Sequence, residues 1–334
     1  MDFSIFDEQY YLIKYPEVQG AIAQGFVRSG LEHFQLYGMT EGRTAVSRYY
    51  DENTYLANNP TVAQAVLAGN YVSGLEHFIN LGYQLGLSNT TTNYDEQFYL
   101  RSNPDVQLAV SQGLLPSGFA HFLNTGINEG LLPTSFSEIE YLQANPLVAE
   151  AVTQGIFTTG FAHYQDFGNT ENRPATFVGT VGNDLVTGFG TSTGSVNLVG
   201  VAKGLVPGFN DVVSYLSDGS QELDTLVGNQ QQNIFILGDV AAFSEVAPAT
   251  VKTFYLGDGF ATILNFTKGE DAIRLRMKNE DDFGIVFVNN NLEISVSQPG
   301  QPSNVVAIIP GVTDLQLTPI YDNNNNIYQD ILFI

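Results

Sequence analysis

The sequence predicts an α+β chain in two parts: an array of four all-helical repeats of about 44 residues, then an all-β domain. Three observations predict it. Pro16, Pro60, Pro104 and Pro146 recur at near-constant spacing, with Tyr11, Tyr55, Tyr99 and Tyr141, and His33, His77, His121 and His163, in the same register. After Arg173-Pro174 that register ends, and Gly, Thr, Val, Asn and Asp take over. In this second half, Asn233–Leu237 and Gly284–Val288 are β-branched and aromatic runs bounded by turn residues, which is how strands read.

The repeats cover about 6–49, 50–93, 94–135 and 136–174, so that residues 1–175 form the helical part. In the third, Asp95 and Glu96 belong to a first helical turn, where negative charge suits the dipole, and Tyr99 and Leu100 face inward. Asn103-Pro104-Asp105 ends that helix and starts the next, with Asn103 as N-cap and Pro104 at the first helical position. Val106, Ala109 and Val110 mark one helical face, and Gly113 is placed to end it at positive φ. Ser117-Gly118 opens a third helix carrying Phe119 and Phe122, which Gly126 closes before Glu129-Gly130 turns into the next repeat. A unit this small buries little alone, so the repeats are expected to stack on their neighbours and share one core.

The four histidines are the only ones in the chain, one per repeat. A metal site needs three or four ligands converging on one point, so they read as packing residues that hydrogen-bond a neighbouring turn. Residues 176–334 read as nearly all β, with turn signals at Asp218-Gly219, Gly257-Asp258-Gly259, Asn289–Asn291 and Asp322–Asn326.

Composition narrows the function. The 334 residues carry 35 acidic and 12 basic side chains, a formal net charge of -23. Phosphate backbones and anionic lipid surfaces would repel such a chain, which argues against nucleic-acid partners and favours cations. There is no cysteine, so disulfides, thiolate metal sites and cysteine nucleophiles are excluded. No stretch approaches the roughly 20 apolar residues of a spanning helix, and Met1–Glu8 lacks the features of a cleaved leader.

Gly179-Thr180-Val181-Gly182-Asn183-Asp184-Leu185-Val186-Thr187-Gly188 resembles one turn of the glycine-rich nonapeptide repeat of the hemolysin-type (RTX) calcium-binding family. Leu223–Phe235, with Asp224, is similar to the eroded end of such a roll, with Gln231 in a glycine place and Asn233 in an aspartate place. Leu256–Phe266, Gly269–Leu275 and Val305–Val312 resemble the capping region that follows the rolls in exported cyanobacterial RTX-type proteins, and the helical repeats resemble modules found beside such regions. Asp330-Ile331-Leu332-Phe333-Ile334 resembles the uncleaved C-terminal signal of type I secretion substrates. The resemblance implies an RTX-like β-roll or sandwich, Ca²⁺ held around Gly182, Asp184 and Asp224, and export through type I secretion machinery to a calcium-rich exterior. The residues alone also admit a plainer reading, turn glycines and aspartates in an ordinary β-domain.

No His pair at ligand spacing, Gly-x-Ser-x-Gly elbow or phosphate loop is present, so no enzyme is expected. The expectation is a secreted, calcium-dependent structural or adhesive protein of the cell surface or matrix that forms a homo-oligomer or homopolymer. The alternatives are a monomeric module binding cell-surface polysaccharide and, behind it, a carboxylate-based glycosidase.

Overall fold

The computed structural model describes residues 1–188, 195–205, 213–229, 232–241, 250–313, 320–322 and 328–333. The fold mixes helix and sheet, in two compact units, Met1–Thr134 and Ser135–Ile334.

Unit 1 holds three helix sets. The first has helices Glu8–Lys14, Pro16–Ala23 and Gly30–His33, the last running into a π-helical turn, Phe34–Gly38; the second and third repeat this from Glu52 and Glu96. Asp7, Asp51 and Asp95 are N-caps whose carboxylates accept the N–H of Tyr10, Thr54 and Phe98. Asn103 occupies the expected N-cap position, with Pro104 starting the helix. Its side chain makes no N-cap bond but donates Nδ2–H to the Tyr99 carbonyl at 2.8 Å, closing the helix before it. Gly113 does end the second helix, at φ 69°. Gly126, expected as a terminator, lies inside the helical path at φ -59°, and Gly130, at φ 71°, is the residue that stops it.

Two side chains of the first helix hold the third. Glu96 accepts the N–H groups of Gly118 and Phe119 at 2.7 and 2.9 Å, just as Glu8 and Glu52 serve the same turn of their own sets. A carboxylate on the free N–H groups of a helix start is favoured by hydrogen bonding and by the dipole. Glu96→Ala should therefore cost about 1–3 kcal/mol in urea unfolding, against about 1 kcal/mol for loss of the Ser117 cap; equal effects would overturn the clamp.

Tyr11, Tyr55 and Tyr99 lie at the centre of each set with no exposed surface. A Cβ on Gly38, Gly82 or Gly126 would fall 2.5, 2.4 or 2.3 Å from the tyrosine oxygen of its set, so only glycine lets the π turn pass. The core runs continuously through all three sets. Contacts also go beyond nearest neighbours: Ser4 bonds Asn124 at 3.0 Å, and Tyr49 packs edge-on against Phe122 at 4.8 Å.

Unit 2 begins with a fourth helix set, Glu138–Ala144, Pro146–Thr153 and Gly160–His163 with the π turn Tyr164–Gly168. The sequence places a boundary at 175/176, whereas the compact units divide at 134/135, and three contacts give the reason. In unit 1 the backbone N–H groups of Asp7, Asp51 and Asp95 donate to Val46, Thr90 and Pro133, each about 40 residues on. In unit 2 Ser137 makes the equivalent bond to Thr176, on the first strand. Phe136 bridges Phe177, and Lys203 pairs with Glu140 at 2.6 Å. The sheet thus meets the last helix set where a further repeat would begin.

The strands are β1 (Ala175–Val178), β2 (Leu185–Thr187), β3 (Val196–Val199), β4 (Lys203–Leu205), β5 (Val213–Tyr215), β6 (Leu223–Val227), β7 (Asn233–Ile236), β8 (Gly238–Ala241), β9 (Thr250–Thr253), β10 (Phe260–Leu264), β11 (Ala272–Lys278), β12 (Asp282–Val288), β13 (Asn291–Ser297), β14 (Asn304–Pro310), β15 (Ile320–Asp322) and β16 (Tyr328–Phe333). Two six-stranded sheets have the orders β1-β3-β7-β11-β16-β15 and β12-β13-β14-β10-β6-β2. Strands β1, β3, β7 and β11 pair in parallel in the first, and β2, β6 and β10 in the second. The chain therefore alternates between sheets as a parallel coil, interrupted by hairpins β4–β5 and β8–β9. A meander, β12–β14, then adds to the second sheet, with Asn289 and Asn290 at positive φ in its first turn.

Candidate metal centre

The parallel coil brings Asp184 and Asp224 together. Strands β2 and β6 pair Leu185 with Thr225, so the two aspartates directly precede one rung of the ladder. Asp184 N–H donates to Asp224 Oδ1 at 2.9 Å, and Tyr255 O–H donates to Asp224 Oδ2 at 2.7 Å. Asp184 in turn accepts Thr180 N–H at 2.8 Å and the Thr180 hydroxyl at 3.1 Å. Gly182, at φ 118°, donates its N–H to Glu222 Oε1 at 3.3 Å.

Glu222 and Tyr255 complete this cluster, and sequence reading missed both. Tyr255 is fully buried and sits at φ 64°, a rare conformation for an aromatic residue, which tertiary packing imposes and no local motif announces. A Cβ on Gly200 would fall 2.1 Å from its oxygen and 2.4 Å from Asp224 Oδ2, so that glycine keeps the cluster closed.

Burial pushes the Asp224 carboxyl up to about 6, with repulsion from Asp184 and Glu222 adding to it and the Tyr255 and Asp184 hydrogen bonds opposing it. Glu222 is raised by burial as well, and Tyr255 is raised well above the phenol range by burial and by Asp224.

The same device recurs on the other sheet. Asp271 Oδ1 accepts both the backbone and side-chain N–H of Asn233 at 2.8 Å, and its Oδ2 accepts Thr267 N–H at 2.7 Å. Asn233 brings an amide donor that aspartate lacks. Gln231 lies outside the described residues. Asp239, on strand β8 where the sequence reads a turn, is held by Arg276 at 2.6 Å and by the Tyr215 hydroxyl.

Both oxygens of Asp224 already accept protein donors, and among the described residues no three acidic or histidine side chains converge on one point. The aspartates act as staples between successive turns of the coil. The histidines are equally committed: His33, His77, His121 and His163 bond through Nδ1 to Tyr11, Tyr55, Tyr99 and Tyr141 at 3.0, 2.8, 2.8 and 2.9 Å. Their partner is the central tyrosine of their own set, two helices back, where sequence reading expected a neighbouring turn. Asp330–Phe333, the described part of the signal-like segment, pairs antiparallel with β11. Ile334 lies outside the described residues.

Compared with protein-family models, curated proteins and solved structures, the chain matches none. Among the described residues, no helix is long and apolar enough to cross a membrane.

Proposed function

We propose that the protein is a secreted structural or adhesive component of a cell surface or extracellular matrix that assembles with copies of itself, as a layer, sheath or filament. Strand β12 carries this reading. It lies at the edge of its sheet, and Val286, Phe287 and Val288 are exposed along it, while the only charged residue of the strand, of the kind that guards edge strands, is Asp282 at its opposite end. Antiparallel pairing with β12 of a second copy would satisfy the edge and cover those side chains, with no like charges opposed among Phe283–Val288.

The helix sets are scaffold in this reading, because the repeated Tyr and His bond each other and the repeated Glu and Ser accept backbone N–H groups of the third helix. Calcium around Gly182, Asp184 and Asp224 stays a proposal from the resemblance, and self-pairing of β12 does not depend on it. Export through a type I machinery would require β16 to leave β11, which fits passage as an unfolded chain.

Sedimentation velocity over a concentration series, from chelator to about 10 mM calcium, tests the proposal. Concentration-dependent growth is expected with or without calcium, and Phe287→Lys should abolish it. A compact monomer throughout overturns self-assembly. Growth only with calcium, lost in Asp184→Asn, restores a calcium-dependent role.

A further inference from the structure

The second six-stranded sheet is covered on one face and open on the other. Its inward side chains, among them Val186, Leu226, Ile263 and Ile294, have no exposed surface. On the outward face Leu185, Thr225, Thr262, Ile308, Glu293 and Val286 stand in register as one row, one residue from each strand between β2 and β12. The row ends, Leu185 and Val286, are 48% and 53% exposed, and Leu223 and Leu264 on either side of it are exposed too. A solvated sheet face is normally polar. This row carries one charge, Glu293, in a chain of net charge -23.

The size of the face and the lack of charge on it point to its occupant. Six strands of three to seven residues, about 4.8 Å apart, make a face of about 500 Å². Two such faces in contact bury about 1,000 Å² together, enough for a biological interface. A basic partner would settle on the carboxylates elsewhere, and an anionic one would be repelled. Two copies of this chain repel each other as well, and least where both surfaces lack charge. A two-fold axis along the strands, between β10 and β14, sets Thr262 on Ile308 and Glu293 on Thr225 of the second copy, so that no two carboxylates meet in the row.

We propose that the outward face of the second sheet is a self-association surface, on which two copies stack sheet against sheet about 10 Å apart. This contact is separate from the edge pairing of β12 and does not depend on it. Edge pairing joins two sheets side by side and closes on itself, whereas stacking joins them face to face. Together they link copies in more than one direction, as a layer or filament requires.

Sedimentation velocity of Phe287→Lys, whose strand edge is blocked, tests the face apart from the edge. A dimer of constant size is expected from about 10 to 100 µM protein in about 0.5 M salt. Its Kd should rise about tenfold or more in about 20 mM salt, because less screening strengthens the repulsion between the two acidic bodies while the uncharged contact is unaffected. Adding Thr262→Lys should return the protein to monomer with the near-ultraviolet circular dichroism unchanged, and Ile308→Lys, beside it in the row, should do the same. A dimer that survives both substitutions, a dimer that weakens as salt rises, or a monomer at every salt concentration overturns the proposal. So does a Phe287→Lys monomer that binds phosphatidylcholine vesicles and loses that binding in Thr262→Lys, which would make the occupant a lipid surface.

Discussion

Replacing Tyr55 by alanine is expected to destabilise the protein by about 3–5 kcal/mol, the range for deleting a fully buried aromatic side chain. The ring has no exposed surface and packs against Tyr50, Phe78 and His77 with centroids 5.5, 5.7 and 6.1 Å away. Its hydroxyl meets His77 Nδ1 at 2.8 Å. Burial lowers the pKa of His77, which favours a neutral imidazole beside the tyrosine hydroxyl. Tyr55→Phe removes only that bond and leaves a buried nitrogen unpaired, for about 1–3 kcal/mol. Gly82→Ala should rival the phenylalanine change, because its Cβ would sit 2.4 Å from the same oxygen. Urea unfolding of the full chain, followed by far-ultraviolet circular dichroism, measures all three. A loss below about 1 kcal/mol for Tyr55→Ala would refute the tyrosine as the hub of its set.

The second large effect is a dependence of stability on pH with a sign opposite to that of a salt-bridged carboxylate. Asp224 titrates at about 6 in the fold, against about 3.9 in an unfolded chain, so the folded state holds the proton more tightly. The stabilisation is fully present below about pH 4 and is lost as pH rises through about 6. Two units correspond to about 3 kcal/mol between pH 4 and pH 7. The groups facing Asp224 are Asp184, Glu222 and Tyr255, and Glu222 shifts in the same direction. Glu17, Asp218, His77 and His163 are lowered and oppose it, the two histidines within the same pH window, so the Asp224 contribution is read as the difference between the wild-type chain and Asp224→Asn. The unfolding free energy of the wild type minus that of Asp224→Asn, at pH 4.5, 6 and 7.5, should fall with rising pH. A difference that rises across this range would sink the assignment.

The helix sets were legible because their signals are local. Proline at the first helical position, Gly113 at positive φ and the tyrosine–histidine register each lie within about 40 residues, and the structure uses each in order. Asn103 holds the N-cap position the sequence places it in, but its side-chain bond and the role of Gly126 were not legible, since each depends on Tyr99, through a bond to its carbonyl or a close approach to its hydroxyl. In the strands, β7 and β12 were visible as β-branched runs, while the alternation between sheets was not. The parallel neighbours within the two sheets stand 21 to 46 residues apart, as in Ala175 with Val196 and Ala261 with Ala307, and most are separated by an inserted hairpin.

The residues of the candidate site divide in the same way. The Gly182–Asp184 and Asp224 segments stood out from their own composition. Glu222 and Tyr255 did not, since burial and hydrogen-bond partners are set by chain segments distant in sequence.

The sequence by itself determined the regular helix pattern and the change to strands after Pro174, because periodicity and turn chemistry act over a few residues. Only the tertiary structure decided that the fourth helix set joins the sheet and that the aspartates staple successive coils. Those outcomes depend on which donors reach a carboxylate once water has been excluded, and that is settled by packing between distant segments.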